Sequence, residues 1–208
     1  MTYKPCVAVL FARHDSVYKT MHECDVWDAD RDALKWPGGM PLIAHPPCRA
    51  WGELSHMAKP RLGEKELAPW AVEQVRKYGG VLERPAKSKL WLAMRLPVPC
   101  VRDEFGGWTL PIWQFWWGHR ARKATRLYIV GVNPRDIPPI PMILGDAEFV
   151  IGTSGRRKDG TRGKSRPEIR KSEREHTPAA MAKWLVELAK ITNRCKSHSP
   201  SESSGGRE

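Results

Sequence analysis

Residues 40–85 read MPLIAHPPCRAWGELSHMAKPRLGEKELAPWAVEQVRKYGGVLERP, and their pattern resolves into three elements. MPLIAH is a short apolar run that stops at Pro46 and Pro47, as a buried strand stops where backbone donors run out. Between Glu64 and Tyr78, Leu67, Trp70, Ala71, Gln74, Val75 and Tyr78 fall on one face at helical spacing, and Gly79–Gly80 ends the helix. VLE at 81–83 is a second short strand, closed by Pro85. Strand, helix, strand in succession is a crossover unit, almost always right-handed and joining parallel strands. The expected fold class is therefore α/β, with a mostly parallel sheet and flanking helices.

The flanks extend this reading. CVAVLFA at 6–12 is a buried strand, followed by a helix-like turn from Asp15, as N-cap, to Met21. CDVWDAD is a strand ending in acids, and WPGG is a turn. KSKLWLAM reads as a short helix, IWQFWW and TRLYIVGV as strands, and FVIG as a strand candidate. Residues 152–176 are polar and rich in Lys and Arg, as in a mobile arm. Thr177 as N-cap and Pro178 at the first helical position open a last helix, with Met181, Trp184, Leu185, Leu188 and Ile191 on its apolar face. Residues 1–195 thus read as one compact domain carrying a basic arm, and 196–208 as a low-complexity, disordered tail.

A net charge of +12 points to a polyanion, most simply nucleic acid. The five cysteines are far apart, with no CxxC, which argues against a disulfide framework or a zinc knuckle; no metal is expected. No run of 18 apolar residues suggests a transmembrane helix. The N-terminus reads as a strand rather than a signal peptide. A cytoplasmic protein with reduced thiols fits these features.

The topology carries the main functional inference. Parallel strands joined by one helix present their carboxyl ends at the same sheet edge, where ligands of open α/β sheets bind. Cys48 lies just past one strand and Glu83 ends the other. A thiolate can add to C6 of a pyrimidine if a carboxyl group at N3 stabilises the developing charge; C5 then attacks an activated one-carbon group. The competing reading is a buried core thiol and a surface acid paired with Arg84. His45 and His56 flank Cys48, and sequence alone assigns neither a role.

AHPPCRAW followed by GGVLERP resembles the Pro-Pro-Cys and Glu-Asn-Val/Pro motifs of DNA cytosine-C5 methyltransferases. The whole chain looks like small methyltransferase-like proteins of bacteriophages and prophages. Gln114, GHRARKAT, RLYIVG and EREHTPAAMAKWLVELA resemble later segments of such proteins. The resemblance covers most of residues 6–191. It implies a Rossmann-like catalytic domain, Cys48 as nucleophile, Glu83 as partner to N3, and S-adenosylmethionine as donor. Phe11, Asp28, Asp30 and Pro46 are the positions it would place near that cofactor, with Asp28 or Asp30 on a ribose hydroxyl. Three departures stand out. LFARHDS lacks the glycines of the family's Phe-x-Gly-x-Gly turn, Arg84 replaces its asparagine, and the DNA-recognition segment shrinks to about residues 131–176.

A cytosine in duplex DNA reaches such a site only by flipping. Trp51 is a candidate for stacking on the extruded base, or else a core tryptophan under the loop. Arg120, Arg122, Lys123 and Arg126, with Arg156, Arg157, Lys158 and Arg162 of the arm, are candidates for phosphate contacts. Two other functions remain open from sequence: a catalytically silent phage DNA-binding or protective protein, and a pyrimidine-modifying enzyme with another donor or a free nucleotide as substrate.

Overall fold

The computed structural model describes residues 4–151 and 166–196. Its strands are β1 (Val7–Leu10), β2 (Cys24–Trp27), β3 (Leu42–Ala44), β4 (Gly80–Pro85), β5 (Trp108–Trp113) and β6 (Ala124–Val130). They form one sheet in the order β2–β1–β3–β4–β6–β5. The helices are α1 (Glu64–Tyr78), α2 (Leu90–Ala93), α3 (Lys171–Arg174) and α4 (Ala179–Lys196).

The sheet is mixed, with an antiparallel part beside the expected parallel strands. β1–β2, β1–β3 and β3–β4 pair in parallel, whereas β4–β6 and β5–β6 are antiparallel. Residues 114–123, which link β5 to β6, contain only a short 3-10 helix at Gln114–Trp117. Without a crossover helix the chain turns straight back, so the pair is antiparallel.

Side-chain alternation builds two cores. Val7, Val9, Ile43, Val81, Leu127 and Ile129 face Met181, Leu185 and Leu188 of α4. Ala8, Leu10, Leu42, Ala44, Leu82 and Tyr128 face Ala68, Ala71, Val72 and Val75 of α1. The buried face of α1 is thus made of smaller residues than its periodicity suggested, and Leu67 and Trp70 lie at its margin. Pro69, inside α1, has no N–H for the Lys65 carbonyl; the indole of Trp51 donates to that oxygen instead, at 2.8 Å.

Local differences from the sequence reading have physical causes. β1 ends at Leu10 because Phe11 takes a left-handed conformation (φ 60°). Ser16 rather than Asp15 caps the turn that follows, a 3-10 helix at Val17–Thr20. QFWW is helical, and the strand lies upstream. In FVIG the described residues form only isolated bridges, Phe149 to Ala121 and Val150 to Glu168. The portion of the expected arm from Arg166 is anchored. Ile169 is buried, and Arg166 donates to the Ala147 carbonyl at 2.8 Å. Arg156, Arg157, Lys158 and Arg162 lie outside the described residues, as does the expected tail except Lys196, which ends α4.

Gly80 begins β4 at φ 119°, and a Cβ there would sit 2.0 Å from the Leu42 carbonyl oxygen. Gly80→Ala is therefore expected to destabilise the fold by about 3 kcal/mol, through strain plus disruption of β3–β4 pairing, measured by urea unfolding.

Candidate active site

β3 and β4 are in register, with Ala44 opposite Leu82, so their carboxyl ends coincide. The His45 N–H continues the ladder to the Leu10 carbonyl at 3.0 Å. Pro46 and Pro47 have no N–H and leave it. Cys48 follows, and its carbonyl accepts from the N–H groups of Trp51 and Gly52 at 3.1 and 2.8 Å, which turns the chain away. β1 has β2 on one side and β3 on the other, so the order of connection reverses there. Open sheets form a binding crevice at such a point. A cleft of about 890 Å³ occupies this position, and Phe11, Tyr18, His45, Cys48, Glu83 and Lys123 are among the residues that line it.

Glu83 shares the strand face of Val81 and points to the α4 side. Its Oε1 accepts from Gln114 Nε2 at 2.8 Å, and its Oε2 lies 3.2 Å from His45 Nδ1. His45 Nε2 is 3.1 Å from the Tyr18 hydroxyl, and Gln114 Nε2 also reaches Thr125 Oγ1 at 3.1 Å. Burial pushes the Glu83 carboxyl up. The Lys123 charge, the hydrogen bond from His45 and the charge of Arg84 outweigh burial and hold it at about 2. At neutral pH Glu83 is thus a carboxylate that accepts on both oxygens. In neutral His45 the proton therefore sits on Nδ1, and Nε2 accepts from Tyr18. Burial keeps the Tyr18 phenol protonated, well above its ordinary range.

Arg84, on the opposite strand face, is 1% exposed. Its Nη1 donates to the Pro46 carbonyl and to that of Pro47, the latter at 2.8 Å. Its Nε and Nη2 find no partner among the described residues. Burial makes this guanidinium less basic, opposed by Cys48 and then Glu83. Arg84 therefore ties the Pro-Pro turn, and Cys48 after it, to the strand that carries Glu83. From the other side, Arg49 binds Glu64 at the start of α1 through three contacts of 2.6–3.1 Å. Cys48 itself is exposed.

Cys48, Glu83, Phe11, Pro46, Arg122 and Lys123 all line the cleft. The Phe11 ring also packs edge-on against Trp70, with centroids 5.9 Å apart. Other expected residues are placed elsewhere. Asp28 is buried against Lys19 (2.5 Å) and accepts from the N–H groups of Asp30 and Arg31. Its carboxylate is committed to its own turn and lies outside the cleft lining. Asp30 is exposed, 3.8 Å from His14. His14, Asp28 and Asp30 bring ligand atoms within 4.8 Å of one another, but the Lys19 ammonium already supplies the cation there. Trp51 is half-buried under its loop, bonded to α1, and outside the cleft lining. Arg120 pairs with Glu148 and Glu173 at 3.3 and 3.1 Å, and Arg122 reaches Asp146 at 3.5 Å. Arg126, opposite Arg84 in the β4–β6 register, lies 5.9 Å from the Trp91 ring and outside the cleft lining.

The residues that sequence reasoning missed are Tyr18, His45, Gln114 and Arg84. His45 stood out by its proximity to Cys48, Arg84 by following Glu83 and Gln114 by the resemblance, but none was given a role in the site, and Tyr18 gave no signal. No family model, no curated protein and no solved structure matches the chain.

The Glu83 carboxyl lies below its ordinary value in the folded state. Its contribution to stability is therefore complete above the unfolded value and disappears as pH falls from about 4 toward about 2. Between about pH 5 and about pH 2 the wild type should lose more thermal stability than Glu83→Gln, measured by melting curves at each pH.

Proposed function

We propose that the chain is a Rossmann-like, DNA-modifying enzyme. Cys48 attacks C6 of a flipped pyrimidine, Glu83 serves ring atom N3, and a one-carbon group is transferred to C5. The simplest member of this class is a cytosine-C5 methyltransferase. The observation that carries the reading is the convergence of Cys48 and Glu83 on one cleft at the carboxyl ends of neighbouring parallel strands. The fold reading draws support from four successive parallel strands, helices on both faces, and a cleft at the point of order reversal.

Each residue has a task in the addition half of the reaction. Arg84 fixes the Pro46–Pro47 turn, so that Cys48 and Glu83 keep their separation. Gln114 and His45 aim the two Glu83 oxygens. The Lys123 charge favours anionic character on the bound ring, as it does on Glu83. The net charge of +12 draws the chain toward DNA over long range.

The donor side fits the resemblance poorly. S-adenosylmethionine would supply an electrophilic methyl group, but the residues expected to hold its ribose do not offer a free carboxylate at the cleft. Asp28 is engaged by Lys19, Asp30 is exposed beside His14 outside the cleft lining, and Asp15, which does line the cleft, is engaged by Arg13 at 2.9 Å. The Arg13 bridges to Asp15 and Glu175 across the donor side favour, as a second reading, a silent DNA-binding protein on the same fold.

Nucleoside mass spectrometry of DNA from cells expressing wild type or Cys48→Ala tests these readings. A 5-methylcytosine signal present only with wild type is the expected result. A Cys48-dependent pyrimidine of another mass changes the donor, and unmodified DNA with soluble protein overturns the enzyme reading in favour of the silent binder.

A further inference from the structure

Glu83 is an ionised carboxylate that accepts a hydrogen bond on each oxygen, yet addition to a cytosine ring requires a proton to be delivered. Cytosine N3 carries no hydrogen, and the charge created when sulfur bonds to C6 collects on that atom. Gln114 cannot release a proton from its amide. The His45 Nδ1–H, 3.2 Å from Glu83 Oε2, can. We propose that His45, oriented by Tyr18, is a positioning residue that provides the proton Glu83 passes to N3. This rests on the pyrimidine reading above.

Three observations support it. The His45 side chain is 13% exposed and lines the cleft, so the ring can be recharged from solvent between turnovers. The fully buried Tyr18 hydroxyl, 3.1 Å from Nε2, suits both charge states of the ring. It donates to the neutral Nε2, and by rotating its hydrogen accepts from the Nε2–H of an imidazolium. Burial prevents Tyr18 itself from becoming a phenolate that would drain the proton away.

The step balances as follows. Cys48 Sγ, its own proton already lost to solvent, forms a bond to C6. The C5–C6 double-bond pair moves to C4–C5, and the C4–N3 pair moves to N3. N3 takes a proton from the Glu83 carboxyl, which is protonated by Nδ1 of the His45 imidazolium. His45 is left neutral, with Nε2–H donated to Tyr18. In elimination the Cys48–C6 bond breaks, and the N3 proton returns through Glu83 to Nδ1.

The addition half can be read without any donor. Once sulfur is on C6, C5 can take a proton from solvent and lose the hydrogen it carried, so DNA labelled with tritium at cytosine C5 releases its label. His45→Asn places an amide N–H near the position of Nδ1; it still holds Glu83 but has no proton to release. Expected is Cys48-dependent release by wild type, slower by about 100-fold in His45→Asn, with unchanged DNA affinity and melting temperature. Tyr18→Phe keeps the ring and removes only the hydroxyl, and should slow release by about tenfold. Wild-type rates in both variants would overturn the relay and leave the pyrimidine reading standing. No tritium release by the wild type would overturn both.

Discussion

Arg84 holds the candidate site together. Pro46 and Pro47 cannot continue the β3 ladder, so their carbonyls would be left without donors at the edge of a buried sheet. The guanidinium of the next strand fills that need with one Nη1 atom. A buried cation is costly unless its hydrogen bonds and counter-charges are in place. Here the counter-charge is Glu83, the preceding residue on the strand, and the acceptors are the carbonyls that precede Cys48. Cys48, Glu83 and the sheet edge are therefore tied together through Arg84. Loss of the guanidinium would free the Pro-Pro turn and leave Glu83 with one compensating charge fewer.

The same coupling explains why Glu83 is ionised although almost fully buried. Desolvation alone favours the neutral acid. Lys123 stands on the connection into β6, His45 on the connection out of β3, and Arg84 on β4 itself. Three segments distant in sequence must dock correctly before the carboxylate is stable. The charge state of Glu83 therefore depends on the assembled tertiary fold, and an isolated β3–α1–β4 unit would lack Lys123.

The β3–α1–β4 unit was legible in the sequence because helical period, two stop glycines and apolar runs all agreed. That agreement placed Cys48 and Glu83 at one edge before any contact was known. Other parts carried no such redundancy. β5 is an edge strand that tolerates Pro111, so WTLPIW lacks the pattern of a central strand, and the more apolar QFWW drew the assignment instead. Asp28 reads as a free acid after a strand; that Lys19 occupies it depends on how the Val17–Thr20 turn folds back. Trp51 reads equally as a stacking platform or a structural residue. Its partner, the Lys65 carbonyl, is free only because Pro69 lies one turn further along α1. His45 and Gln114 meet Glu83, and Tyr18 meets His45, from three separate connections, a convergence that no spacing in the sequence encodes.

The charge distribution sharpens the distinction between attraction and catalysis. Most cations around the cleft are locally balanced: Arg13 by Asp15 and Glu175, Arg49 by Glu64, Lys87 by Glu53, Arg122 by Asp146. Apart from Arg49, whose partner Glu64 is buried, these exposed pairs contribute little to stability, and a phosphate can replace the carboxylate partner at small cost. Lys123 has no such ion pair among the described residues, and Arg84 has two unused donor atoms. Both charges act on the Glu83 carboxylate, Lys123 from the connection into β6 and Arg84 from β4. The paired cations are suited to holding a polyanion at the rim. Under the proposed function, Lys123 and Arg84 would supply the field for sulfur addition.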